Sequence, residues 1–307
     1  MRALTKLYLI TGFLGAGKTT FLQKFVKLFP GRKIALVINE FGAAGVDGAL
    51  LQDLEIELTE INNGSIFCAC KIEQFENAVR RIMETNRPEL IFVEASGLSD
   101  PTAVRRIFQT GAFPELEYAG AICLVDALRF HKVYQTARVC RMQLAISDLV
   151  LVNKTDLASR EQIDAITDIA LAQKPSRPVH ETTFGGFDLC WLEELERPQN
   201  DSGPSEGHIK DINLQDLTLT VSGFDLKSLK SFLRMFAEDT YRIKGFVELE
   251  GIVYMADCVG PLVEIRSFEG EPSELGKLVV LFGHGLPAKK SIKEAISRYP
   301  DCEVILS

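Results

Sequence analysis

A chain of 307 residues, 46% hydrophobic and 25% charged, is too long for one small domain and too apolar for disorder, so two folded domains are expected. Its formal charge of −8 comes from 34 basic and 42 acidic residues with no block of like charge, which lacks the footprint of a nucleic-acid-binding protein. The longest apolar stretches fall short of the roughly 18 to 20 residues that a membrane helix needs, so neither nucleic acid nor membrane is expected as a partner.

The N-terminus runs through a short β-rich segment straight into glycines and leaves no room for a secretory signal. Seven cysteines, an odd number, fit reduced thiols better than a disulfide framework, and a cytoplasmic location is expected. Residues 7–10, 33–38, 90–93, 121–125 and 149–152 read as buried strands. Alternating with helical patterns, they predict an α/β fold, a mostly parallel sheet wrapped by helices. Between the first two strands, Phe21, Leu22, Phe25, Leu28 and Phe29 recur at helical spacing up to Pro30-Gly31, which predicts a helix over 18–28.

The first motif joins that strand to that helix. Gly12-Phe13-Leu14-Gly15-Ala16-Gly17-Lys18-Thr19, followed by Thr20, matches the phosphate-loop pattern in the context that gives it meaning. Its glycines let successive backbone N–H groups face the β- and γ-phosphates, and the helix N-terminus adds partial positive charge. Lys18 is placed to neutralise phosphate oxygens, and Thr19 to offer its hydroxyl to Mg²⁺.

Further along, residues 54–61 alternate as a strand and Asn62-Asn63-Gly64 signals a turn. Cys68-Ala69-Cys70 follows. In an extended segment residues i and i+2 point to one side, so Cys68 and Cys70 can share one tetrahedral metal. Glu40, Glu73, Asp47 or a second copy of the loop across a dimer interface are candidates to complete the site; two ordinary thiols are the alternative. Phe75, Val79 and Ile82 then mark a second helix. In Phe92-Val93-Glu94-Ala95-Ser96-Gly97 a buried strand ends in a carboxylate with glycine three residues on, the place where phosphoryl-transfer proteins orient Mg²⁺ or the attacking water. Asp126 ends the next strand, where it can cap a helix or contact the site. After the strand at 149–152 comes Asn153-Lys154-Thr155-Asp156. A carboxylate at the fourth position can accept both the N1–H and the exocyclic amino group of guanine, a donor pair that adenine lacks, so GTP is favoured over ATP. The four histidines are scattered and read as structural.

Residues 197–212 are rich in Pro, Gly, Asn, Asp and Ser and read as a linker between a nucleotide domain of 1–196 and a smaller α+β domain of 213–307. The latter is expected to hold strands at 217–221, 245–249, 251–255, 262–268 and 277–282, with helices at 226–236 and 288–296.

The motif set, Gly12 to Thr20, Asn39-Glu40-Phe41-Gly42, Glu94 to Pro101, Val125-Asp126-Ala127 and Asn153 to Asp156, resembles the CobW-type P-loop GTPases. These are relatives of the nickel-inserting GTPases of hydrogenase and urease maturation. The second domain shares looser landmarks, Tyr241 to Gly245 and Phe282-Gly283. The resemblance implies a P-loop NTPase fold with a CobW-like C-terminal domain and a GTPase that uses GTP and Mg²⁺. Gly12, Gly15, Ala16, Gly17, Lys18, Thr19, Thr20, Asn153, Lys154 and Asp156 would bind nucleotide, with Lys18 and Glu94 catalytic. It further implies Zn²⁺, or Co²⁺ or Ni²⁺, held by Glu40, Cys68 and Cys70 and delivered to a client metalloenzyme or cofactor-pathway protein, and a possible homodimer. One departure stands at the metal loop. Where the family has Asn-Gly-Cys-x-Cys-Cys, this chain carries Ser65, Phe67 and Cys68, which keeps open a second reading, a GTP-dependent switch or docking protein without a metal role.

Overall fold

The computed structural model describes residues 4–38, 57–60, 69–97, 101–109, 113–197, 214–270, 272, 275–283 and 285–306. The chain divides into two compact units, Met1–His208 and Ile209–Ser307.

Among the described residues the first unit holds seven parallel strands: β1 (Thr5–Thr11), β2 (Ile34–Ile38), β3 (Glu57–Glu60), β4 (Leu90–Glu94), β5 (Leu116–Asp126), β6 (Leu149–Asn153) and β7 (Val179–Glu181). They lie in the order β3-β2-β4-β1-β5-β6-β7, and every pairing is parallel. Parallel strands need crossovers, and among the described residues α1 (Lys18–Phe25), α2 (Ala69–Thr85), α3 (Thr102–Gln109), α4 (Phe130–Thr136), α5 (Arg138–Ile146) and α6 (Arg160–Gln173) lie between successive strands, with α7 (Cys190–Leu195) following β7. The order reverses beside β1, the switch point where open α/β sheets hold ligands.

Strand alternation divides the apolar side chains between two layers. Tyr8 and Ile10 of β1 pack with Phe21, Leu22 and Phe25 of α1, and Leu7 and Leu9 face Phe75, Val79 and Ile82 of α2. The rings of Phe21 and Phe25 stack at 4.7 Å, and each buried phenylalanine stabilises the layer by roughly 2–3 kcal/mol relative to exposure. The helix expected over 18–28 is α1 followed by a tight 3₁₀ turn over Val26–Leu28.

One local expectation is overturned. The backbone is not extended through Cys70, because α2 begins at Ala69 and takes Cys70 into its first turn. The stripe of Phe75, Val79 and Ile82 is anchored on the sheet, and alanine, the best helix former, carries the helix back toward the cysteines. Cys68, Glu40, Asp47 and the Asn62-Asn63-Gly64 turn lie outside the described residues, as do His208, His284 and most of the linker.

The second unit is a six-stranded antiparallel sheet, β8 (Leu214–Ser222), β9 (Arg242–Leu249), β10 (Ile252–Val259), β11 (Leu262–Ser267), β12 (Lys277–Gly283) and β13 (Glu303–Leu306), in the order β11-β10-β9-β12-β8-β13. Helices α8 (Leu226–Arg234) and α9 (Ala288–Ser297) bury Leu229, Phe232, Leu233 and Ile292 against Leu219, Ile243, Leu278 and Val280. The expected α+β composition is present; the short final strand β13 was not legible in the pattern. Among the described residues no helix is long and apolar enough to cross a membrane.

Candidate nucleotide site

The carboxyl ends of β1, β4, β5 and β6 bring four sequence motifs to one edge of the sheet. The loop from Gly12 to Gly17 turns between β1 and α1. Gly12 has φ 137°, and a Cβ there would lie 2.3 Å from the carbonyl oxygen of Leu124, so only glycine lets the loop pass β5 this closely. Lys18, 8% exposed, folds back to donate to the carbonyls of Gly12 at 3.0 Å and Phe13 at 3.5 Å. Among the described residues this buried ammonium is held on neutral carbonyls, an arrangement able to meet an anion. Thr19 is half-buried and Thr20 exposed in the first turn of α1.

Asn153, at the end of β6, is 2% exposed. Its amide donates to the carbonyl of Ala16 at 2.9 Å, and its carbonyl oxygen accepts from the N–H of Gly185 at 3.0 Å. The first residue of the Asn-Lys-Thr-Asp motif therefore clamps the phosphate loop to a segment over thirty residues downstream. Lys154 adopts φ 63° and pairs with Asp126 at 2.7 Å, while the other oxygen of Asp126 accepts from the N–H groups of Leu128 and Arg129. Asp126 does not cap a helix, since Arg129 holds the N-cap position of α4 with no side-chain cap bond; it closes the turn before α4 and pairs with Lys154 of the motif. Thr155 donates its hydroxyl and N–H to the carbonyl of Thr182, leaving Asp156 exposed in the turn Thr155–Leu157.

Glu94 is buried at the end of β4, and the N–H of Ala95 donates to Ile10, so the strand end is locked to β1. Gly97 lies against the phosphate loop: a Cβ there would meet the backbone N of Leu14 at 2.7 Å. Its carbonyl accepts from Gln143 of α5 at 3.2 Å, a side chain with 0% exposure. Sequence reading did not find Gln143, because a glutamine in a helix gains meaning only from what lies opposite. It also missed the loop after β7. There Thr182 donates to Gly186 at 2.8 Å and Phe184 stands at φ 52°. The pair Gly185-Gly186 was the one available signal.

Beneath the loop lie two thiols, Cys123 and Cys140, both buried. Burial pushes Cys123 up to about 12 and raises Cys140 as well, so both stay protonated and inert. Among the described residues no group of three or more His, Cys, Asp or Glu side chains is close enough to hold a metal. His180, paired with Glu194 at 2.8 Å and stacked on Trp191, has the structural role expected of it.

A family model described as "CobW/HypB/UreG, nucleotide-binding domain" matches residues 6–181. Among curated proteins, the Sinorhizobium zinc chaperone CobW is 30% identical over 198 residues, covering 55% of this chain and 56% of its own length. The Escherichia coli zinc chaperone YjiA is 30% identical over 191 residues, covering 60% and 59%. The chain thus spans a little over half the length of these relatives. A solved structure of the Zn(II)-bound YjiA GTPase aligns with 97% of this chain and 99% of its own at 19% identity, with a TM-score of 0.49.

Proposed function

This chain belongs to the CobW/HypB/UreG family through its nucleotide-binding domain, and on that premise we propose that it binds and hydrolyses GTP and uses the nucleotide cycle to hold and release a transition metal for a client protein. The observation that carries the nucleotide part is the Asn153 clamp. One buried amide joins the phosphate loop at Ala16 to the loop at Gly185, so the groups that would hold phosphate and base form one pre-organised unit. Lys18 would neutralise phosphate oxygens and Thr19 would hold Mg²⁺, which when bound supplies charge neutralisation. Asp156 would read the guanine edge. Glu94, buried at the strand end, would orient the attacking water.

Phosphate release from GTP and ATP tests this part. GTP is expected to be preferred by at least about tenfold, and Asp156→Ala to erase the preference, since a lost pair of hydrogen bonds to a charged acceptor is worth roughly 1.5–3 kcal/mol each. Equal rates with both nucleotides overturn it.

The metal part is supported by the relatives named as zinc chaperones and by Cys68 and Cys70, with Glu40 as an oxygen ligand. Thiolates favour zinc and other borderline-soft ions. The expected result is Zn²⁺ affinity that changes with a non-hydrolysable GTP analogue and is lost in the double variant Cys68→Ala, Cys70→Ala. Ser65 and Phe67, at positions where the family carries cysteine, favour the second reading, a GTP switch that docks a partner without metal. Unchanged Zn²⁺ binding in both comparisons would select it.

A further inference from the structure

Phe184 stands out on three independent counts. It has φ 52°, a left-handed conformation that costs a bulky residue about 1 kcal/mol or more. It is 67% exposed, the highest value among the exposed large hydrophobic side chains described. It also stands in the loop tied to the guanine-reading turn: Thr155 bonds to Thr182, and Asn153 holds the N–H of Gly185. The loop cannot relax away, because the Cα of Gly185 is pressed against α1, where a Cβ would meet the Cα of Phe21 at 2.7 Å. Phe187, three residues on, packs against Phe21 and Phe25. An aromatic ring thus stays exposed in a loop bonded to the turn that carries Asp156, when burial would be its ordinary outcome.

Resting on the GTP reading above, we propose that Phe184 is the stacking wall for the purine ring of the bound nucleotide, supplying apolar contact to the base face while Asp156 reads its edge. A carboxylate in water is a weak reader of hydrogen-bond donors, because water competes for the same groups. An aromatic surface laid on the base excludes that water and strengthens the edge contact. The Nζ of Lys24 lies 5.7 Å from the ring centroid. A cation on one face withdraws electron density and suits the ring to an electron-rich purine on the other.

Calorimetric titration of the full chain with GDP and with inorganic tripolyphosphate tests the assignment. Phe184→Ala and Phe184→Gly are expected to weaken GDP binding roughly 10- to 100-fold, the range for loss of one base–aromatic stack, to leave tripolyphosphate affinity unchanged, and to be rescued by Phe184→Tyr. The glycine variant relieves the backbone strain and removes the ring together, so a purely conformational role predicts GDP binding equal to or better than wild type. That result overturns the proposal, as does an equal loss of GDP and tripolyphosphate affinity. If the wild-type chain binds no guanine nucleotide, the GTP reading fails with it; if wild type binds GDP and the variants match it, only the role of Phe184 fails.

Discussion

At the carboxyl end of the parallel sheet three buried polar side chains bond to the backbone of other loops: Lys18 to Gly12 and Phe13, Asn153 to Ala16 and Gly185, Gln143 to Gly97. At the amino end partly or fully exposed charged side chains bond to one another. Lys6 pairs with Glu196 at 2.6 Å, Tyr8 donates to Glu196, and Arg32 pairs with Glu89. The amino end nevertheless has the larger void, about 920 Å³ lined by these residues with Phe29, Met83 and Leu192, against about 20 Å³ beneath the phosphate loop. Volume is therefore a poor guide to chemistry here. Side chains that neutralise each other leave little for a ligand to satisfy, whereas a lysine held on carbonyls, beside loops joined through one amide, suits the phosphates of the proposed nucleotide.

The comparison breaks most sharply at its two lysines. Lys18→Ala is expected to lower GTP hydrolysis by at least about 100-fold, the usual cost of removing a preorganised charge-stabilising donor. Lys6→Ala is expected to stay within about twofold. A phosphate-release assay on both decides it, and similar losses would put the chemistry at the wrong end of the sheet. Next in size is Asn153→Ala, which leaves the Ala16 carbonyl and the Gly185 N–H without their buried partner. Thermal unfolding should show the first unit destabilised by about 3 kcal/mol, with weaker GDP binding. Full stability would mean that the clamp does not hold the two loops together.

The carboxyl end was also the more legible end in sequence, for a reason these residues show. Gly12, Lys18, Glu94, Asn153 and Asp156 follow short apolar strands, and in a parallel sheet every strand end points to the same edge, so linear motifs converge without any further information. The run at 7–10 marked a buried strand, but only the structure divides Leu7 and Leu9 from Tyr8 and Ile10 between two helix-covered layers. Gln143 and Phe184 carry no such mark. Gln143 meets Gly97 across 46 residues, and Phe184 gains its strain from Gly185 wedged on Phe21, both matters of tertiary contact. The cysteine pair was read as extended from spacing alone, and the helix opening at Ala69 shows how an amphipathic stripe several residues downstream overrides local geometry.

A smaller effect separates positioning from binding at the carboxyl end. Gln143→Leu keeps the volume and removes the hydrogen bond to Gly97. About tenfold slower hydrolysis with unchanged GDP affinity is expected, since one such bond is worth about 1–1.5 kcal/mol and holds a segment that GDP does not need. Equal loss of both would make Gln143 a packing residue only. Single-turnover rates beside a GDP titration distinguish the two.

The smallest effect belongs to the amino end and tests whether its network is structural alone. Burial first, and then the hydrogen bond and charge of Glu196, push the Tyr8 hydroxyl well above its ordinary value. A group raised in the folded state holds its proton there and loses it more readily when unfolded. Its contribution is therefore complete below about pH 10, the unfolded value, and is lost as pH rises beyond it. Tyr8→Phe should cost about 1 kcal/mol at pH 7, leave GTP hydrolysis unchanged, and flatten part of the fall in stability above pH 10. Tyr118, Cys123, Cys140 and Cys258, which burial raises in the same direction, contribute to the remaining slope. Denaturant unfolding of wild type and variant at pH 7 and pH 10.5 measures the difference, and a change in hydrolysis at pH 7 would show that the two ends of the sheet are coupled.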